Sequence, residues 1–565
     1  MTNVIDGGEA IMEAFRTLGV DYVISSPGSE WAALWEALAR ARINNTPGPT
    51  YIDCGHENLA VDMALGYTLM TGRMQAVILH AGTGLLQGSM AIHGAMVNEV
   101  PMIVMSGEST TYGEDTEFEP GVQWIRNLSV VGGPQKMIEP LVKWGNIASS
   151  IHTLYQQTVR AGELAQRTPK GPTYLCMAME TMMEPWSPPS RQRKVEPPPK
   201  LEASQADIDK VAAMIRMAKH PVITTEAAGR DADGFTALVA LAELMGIPVA
   251  EGRGTNFSNF PKEHPLYLGT SAGPLIKEAD LVLAVASRVP FYPTRNAPAN
   301  AQVVVVSDNP HKQYMVYQNL QADVYLEGDV ASSLRRLTAA LVAAGAKASD
   351  HASRRTHWQG EHDKLVAKIR EAEAKAPTTG PVDPFYLCAV MRELMPADAI
   401  YIDETIVHGA IVQQHMPFNA PQTFFRTPTG LGQSLGLAVG IKLAARERPV
   451  TVLTGDGAFL YNPVLAALGA SKNNDLPLLV IVLNNDGYKS MKRNHLEHYP
   501  QGLGKQTGIH HGVQVDGFDF GGLAALYGGV GRHVEDATQL RGALTEALAA
   551  VKAGKMAILN VRMSR

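Results

Sequence analysis

Short apolar runs alternate with longer stretches of helical period along most of this chain. Tyr22 to Ser25, Ala76 to Leu79, Met102 to Met105 and Thr173 to Met177 read as strands. Ile11 to Leu18, Trp31 to Ala41, Leu59 to Met70, Met90 to Met96 and Leu154 to Ala165 read as helices between and around them. The pattern repeats further on: Pro221 to Thr225, Pro248 to Glu251, Leu281 to Ala286 and Val303 to Ser307 are strand-like, and Ala331 to Ala344 closes that block as a helix. A third block carries two more apolar runs, Val450 to Leu453 and Pro477 to Leu483, with a helical segment between them. Fully apolar strands separated by helices predict parallel sheets covered on both faces. The expected fold class is therefore α/β, with three doubly wound parallel-sheet domains over residues 1–186, 201–345 and 375–565. Trp186 to Lys200 is rich in proline and charge and reads as a linker. Residues 346–383 are charged and helical until Pro377 and Gly380-Pro381, which suits a second linker carrying a surface helix.

Length agrees with this division, since 565 residues exceed what one hydrophobic core organises. A hydrophobic fraction of 45% and a charged fraction of 18% are ordinary for a globular protein. A net charge of −6 speaks against general nucleic-acid binding. The three cysteines, Cys54, Cys176 and Cys388, form no CxxC pair, which fits a reducing compartment without structural zinc. The first residues lack the basic-then-apolar pattern of a secretory signal, and no apolar run is long enough to span a bilayer. The default expectation is a cytoplasmic location without membrane association.

Candidate chemistry concentrates at strand ends. Val450 to Leu453 runs into Gly455-Asp456-Gly457, and Pro477 to Leu483 runs into Asn484-Asn485-Asp486-Gly487. In an open parallel sheet both strand ends face the crevice where ligands bind. A carboxylate, an amide oxygen and a loop carbonyl are hard oxygen donors that suit Mg²⁺. The glycines permit close approach of backbone N–H groups to a phosphate. In the first block three short segments follow strands or open helices: Pro27-Gly28-Ser29, Gly55-His56-Glu57, and the Gly-rich loop His80-Ala81-Gly82-Thr83-Gly84. Taken singly each is weak, because a Gly-rich loop is often only a tight turn and a glutamate in a first helical turn often only answers the helix dipole.

Together these segments resemble the thiamin-diphosphate enzymes, in the branch of the acetolactate synthases and benzoylformate decarboxylases. The GDG motif followed by NN somewhat under thirty residues later is similar to that family's cofactor signature, and Thr429 to Gly436 and Asn259 to Gly269 also look like segments of this branch. The resemblance implies Mg²⁺ ligands at Asp456, Asn485 and the carbonyl of Gly487. It implies cofactor contacts at Pro27, Gly28, Gly82, Thr405, Gly430, Gly455, Gly457, Ala458 and Tyr488, with Leu431 as the bulky residue that props the cofactor in a bent shape. Glu57 would stand beside the aminopyrimidine N1′, which calls for a mostly apolar surrounding that Leu59, Ala60 and Met63 are available to supply. His80 and Ser29 match substrate-side positions of the benzoylformate decarboxylase-like members; the alternative for His80 is a histidine hydrogen-bonded within a loop. The second catalytic histidine of those members has no counterpart, and Tyr292 stands near its place.

The reaction so implied is cleavage or formation of a C–C bond next to a carbonyl, foremost decarboxylation of a 2-oxo acid with or without carboligation. A lyase acting on 2-hydroxyacyl thioesters or acyloins without loss of CO2 is the alternative, and a catalytically silent thiamin- or nucleotide-binding regulator another. FAD or ADP occurs in the central domain of some relatives, and nothing in this sequence indicates it. The segment after Asn485 is basic and His-rich, so Lys489, Lys492 and Arg493 are candidates to meet a second anionic group on a small carbonyl substrate; a solvated helix face is the plainer reading. The resemblance further implies a homodimer or homotetramer.

Overall fold

The computed structural model describes residues 5–109, 130–191, 194–252, 254–427, 429–515 and 517–564. Within them three parallel sheets form, and the α/β expectation holds. The first contains β1 (Tyr22–Ser26), β2 (Thr50–Asp53), β3 (Gln75–Leu79), β4 (Met102–Glu108), β5 (Trp144–Ala148) and β6 (Pro172–Ala178), ordered β2-β1-β3-β4-β6-β5. The second contains β7 (Pro221–Thr225), β8 (Val249–Glu251), β9 (Leu281–Val285), β10 (Gln302–Ser307) and β11 (Val324–Glu327), ordered β11-β10-β9-β7-β8. The third contains β12 (Ile400–Glu404), β13 (Phe424–Arg426), β14 (Val450–Gly455), β15 (Leu479–Asn484), β16 (Val530–Val534) and β17 (Ala557–Arg562), ordered β13-β12-β14-β15-β17-β16. Most strands read from the sequence are wholly buried, among them β3, β4, β6, β7 and β9, although β12, equally buried, is not read from it. Edge strands such as β2 and β5 escape that reading because most of their residues keep some exposure and no apolar run marks them.

The chain packs as two compact units; every strand of the third sheet lies in one of them, while two segments between its strands belong to the other. One unit is Met1–Pro199 with Thr427–Arg446 and Tyr461–Leu476; the other is Lys200–Arg426, Glu447–Leu460 and Pro477–Arg565. The helix Ser434–Ala444 joins the first unit by packing on the helix Glu57–Thr71. Glycines make that packing possible. A Cβ at Gly66 would lie 2.3 Å from the Leu437 carbonyl oxygen, and one at Gly440 would lie 2.0 Å from that of Met63.

In the second unit a buried ion pair fastens β8 to the helix Gly409–His415. The Lys262 ammonium donates to Glu251 Oε2 at 3.1 Å, to the Tyr267 hydroxyl at 3.1 Å and to the Gln413 carbonyl. Burial pulls the Lys262 pKa down, and the Glu251 carboxylate opposes that. Lys262→Met would strand a buried carboxylate, so we expect a loss of roughly 3–5 kcal/mol, read as a lowered urea midpoint. An unchanged midpoint would mean the pair contributes nothing net.

Candidate active site

Three neighbouring strands of the third sheet end in candidate residues. β12 pairs with β14 and β14 with β15, all parallel, so Thr405, Asp456 and Asn485 leave the sheet side by side. Asp456 opens the helix Asp456–Tyr461 directly at the end of β14. Its Oδ1 accepts from the Gly457 N–H at 2.8 Å; its Oδ2 accepts from the N–H groups of Gly487 at 2.8 Å and Asn485 at 3.3 Å. The carboxyl is buried, which raises its pKa, while these backbone donors work the other way. Asn485 is also buried, and its Oδ1 has no hydrogen-bond partner among the described residues. An amide oxygen left so is costly unless something else meets it, and a hard cation is one group whose chemistry would suit it. The Gly487 carbonyl accepts from the Lys489 N–H at 2.9 Å and retains a second lone pair. One carboxylate, one amide oxygen and one carbonyl therefore fit a hard divalent ion. Among the described residues no group of three His, Cys, Asp or Glu side chains could hold a metal.

Two glycines at this place are obligatory. A Cβ at Gly457 would lie 2.3 Å from the Tyr488 ring, and one at Gly487, where φ is +154°, would lie 2.0 Å from the Val513 carbonyl oxygen. At Gly455 a Cβ would meet nothing within 4 Å, so space is open there. Ala458 is buried in the same turn of helix. Thr405 is buried, and both its N–H and its hydroxyl donate to Asp403 Oδ1.

The remaining cofactor-side candidates lie in the first unit. β1 ends before Pro27-Gly28-Ser29, β3 before His80, and Glu57 is the first residue of its helix, capped by the His56 ring accepting from the Asn58 N–H at 3.1 Å. Glu57 is half-buried, while Leu59, Ala60 and Met63 behind it are fully buried. The same helix is fixed by Asp62, which accepts from Asn58 at 2.9 Å and Gln433 at 3.1 Å. The Gly-rich segment differs from the expected loop: Gly82 and Gly84 already belong to the helix Gly82–Val97. They are glycine for clearance. A Cβ at Gly84 would lie 2.8 Å from His80 Cβ and 3.0 Å from Glu57 Oε1, and one at Gly82 would lie 2.0 Å from Val130. His80 and Glu57 thus both border Gly84. Gly430 and Gly432 have φ of +73° and +88° on either side of half-buried Leu431.

Glu30 is a residue that sequence reasoning missed. It is 5% exposed, and both of its carboxylate oxygens lie against His80 Nδ1, at 3.0 and 2.9 Å. Its Oε1 also accepts from the Ala81 N–H at 2.7 Å. Gly28 and Gly107 make room, since a Cβ would lie 1.7 Å from His80 Nδ1 at the first and 2.3 Å from Glu30 Cγ at the second. Fifty residues separate the partners, so no spacing rule announces them. Ser29, beside Glu30, is exposed. Glu30→Gln keeps the shape but removes the charge that orients the ring. We expect kcat to fall roughly ten- to hundredfold with an unchanged thermal midpoint; unchanged kcat would make Glu30 purely structural.

A cavity of about 460 Å³ in the second unit gathers Tyr292 and Arg493 from among the substrate-side candidates. Lys489 and Lys492 do not line it, although they share the helix Lys489–His498 with Arg493. Arg426, at the end of β13, lines it and was not foreseen.

Three family models match the chain: thiamine pyrophosphate enzyme, N-terminal TPP binding domain over residues 5–130, central domain over 208–337, and C-terminal TPP binding domain over 407–561. The chain is 23% identical over 562 residues to the acetolactate synthase large subunit of Haemophilus influenzae, covering 96% of this chain and 92% of that protein. It is 27% identical over 562 residues to the benzoylformate decarboxylase of Pseudomonas aeruginosa, covering 96% of each. Among solved structures it is similar to the thiamine diphosphate-dependent 4-hydroxybenzoylformate decarboxylase of Rhodococcus jostii RHA1, with a TM-score of 0.80, 25% identity and 99% of both chains covered.

Proposed function

We propose, from the premise that this chain belongs to the thiamine pyrophosphate enzymes, that it is a Mg²⁺-dependent 2-oxo acid decarboxylase or carboligase. The observation that carries the metal half of this reading is the buried, unpartnered Asn485 Oδ1 beside the Asp456 carboxylate. Retention of Glu57 together with Asp456 and Asn485 argues against a silent regulator. Thiamin diphosphate, when bound, supplies the carbanion chemistry that no side chain offers. Asp456, Asn485 and the Gly487 carbonyl would hold Mg²⁺, while the glycines around Asp456 let backbone N–H groups reach the diphosphate. Glu57 would hand a proton to and from the pyrimidine N1′. Leu431 offers an apolar prop. His80, oriented by Glu30, would move a proton at the reacting carbon, and Ser29 would meet the substrate carboxylate.

The active unit in this reading is a homodimer or homotetramer, to be checked by sedimentation. No helix among the described residues is long and apolar enough to cross a membrane.

The deciding experiment is CO2 release by the purified protein with Mg²⁺ and thiamin diphosphate across aliphatic, aromatic and dianionic 2-oxo acids. Release from one class supports the reading. Silence with every class, while acyloins or 2-hydroxyacyl thioesters are cleaved, would transfer the assignment to the non-decarboxylating lyases.

A further inference from the structure

The cavity in the second unit holds more positive charge than the rest of the chain would suggest. Its lining includes Arg426 and Arg493 and no acidic residue, in a protein of net charge −6. A recess lined by one sign of charge focuses the field on whatever enters. Arg426 is held in place: its Nη2 donates to the Thr405 carbonyl at 3.3 Å and its Nε stands 3.7 Å from Asp403 Oδ2. Gly409 leaves room for it, since a Cβ there would lie 2.7 Å from Nη2. Asp403 is fully buried; burial raises its pKa, and the Arg426 guanidinium beside it works the other way. Arg493 is 62% exposed in its side chain, and its acidic neighbour Glu497 is 4.0 Å away. Neutral donors complete the wall, among them Thr270, Tyr292 and Asn296.

The cavity adjoins the candidate diphosphate side. Ile406 and Val407, which line it, directly follow Thr405, and Arg493 lies on the helix that begins two residues after Gly487. Its size suits a small molecule rather than a peptide. An arginine fork prefers carboxylate, phosphonate or sulfonate oxygens.

We propose that this cavity is an anion subsite that seats the distal carboxylate, phosphonate or sulfonate of a dianionic 2-oxo acid, with Arg426 and Arg493 as its cations. The identity of the occupant as substrate rests on the decarboxylase reading; the subsite itself does not. A nucleotide phosphate has related oxygen chemistry, so the test separates the two sources.

Calorimetry on the full-length protein with Mg²⁺ and thiamin diphosphate would use three probes: glutarate, pentanoate and ADP. We expect glutarate to bind and pentanoate to bind far more weakly. Arg493→Gln and Arg426→Gln are each expected to weaken glutarate roughly tenfold or more, the loss of one charge-assisted contact. In turnover, both variants should lower kcat/KM for 2-oxoglutarate by a larger factor than for 2-oxopentanoate. Lys505→Gln, on the separate short helix Leu503–Thr507, should leave that ratio alone. Arg493 is largely exposed, so its variant folds even if removing Arg426 beside buried Asp403 does not. Equal binding of glutarate to wild type and Arg493→Gln would overturn the proposal. So would loss of ADP binding in the variants with an unchanged ratio between the two 2-oxo acids. Arg493-dependent glutarate binding without CO2 release from any 2-oxo acid would support the subsite while defeating the decarboxylase reading.

Discussion

Asp456→Ala is expected to abolish Mg²⁺-dependent retention of thiamin diphosphate. The carboxylate is the only charged donor in the proposed set, and its oxygens also accept three backbone N–H bonds from Gly457, Asn485 and Gly487. Alanine removes the metal's counter-charge and releases the loop that carries Asn485 and Gly487. Loss of an outer partner of a metal ligand alone costs about ten- to hundredfold in affinity, so removing the ligand itself should cost more than about a hundredfold. Equilibrium dialysis of the cofactor with and without Mg²⁺ reads this directly. Asp456→Asn helps separate the two effects: its single amide oxygen can still accept from Gly487 and Asn485 while the charge and the acceptor for Gly457 are lost, so it should lower the metal-free thermal midpoint less than Asp456→Ala yet still bind the cofactor poorly. Cofactor affinity unchanged in both variants would move the metal site elsewhere.

The second large effect belongs to Glu57. Glu57→Gln should slow exchange of the cofactor's C2 proton by roughly 10²–10⁴-fold, the usual span of a positioned acid–base group. Cofactor binding should survive, because the diphosphate-side candidates belong to the second unit and Glu57 to the first. The local fold should survive too. Asn58, Asp62 and the His56 cap hold the start of the helix without calling on the Glu57 side chain. Exchange followed by NMR in heavy water is the measurement, and a wild-type rate in the variant would remove Glu57 from its assigned role.

Much of this molecule was legible before folding was considered. The strands β14 and β15 carry continuous apolar runs, and a run that ends in Gly-Asp-Gly or Asn-Asn states its strand and puts an oxygen-bearing side chain at its end. The helix of Glu57 was equally plain. Short-range features of this kind depend on residues within a few positions of each other, and a linear reading captures them. The edge strands were less visible, because exposure on one side dilutes the apolar run that marks a strand. The Gly-rich segment was seen but read as a loop, whereas Gly82 and Gly84 belong to a helix in which Val130 presses on the first and His80 and Glu57 on the second.

What only the tertiary structure decided are the pairings between distant residues. Glu30 meets His80 because β1 and β3 are neighbours in the sheet, and no periodicity encodes that neighbourhood. Arg426 and Arg493 share one cavity with Tyr292 although they arrive from β13, the helix after β15 and the loop after β9. The linear sequence determined the fold class, the family and the oxygen donors at two strand ends, because those rest on local pattern and composition. Which carboxylate orients His80, and which cations face the cavity, followed from sheet order and burial, which long-range packing alone sets.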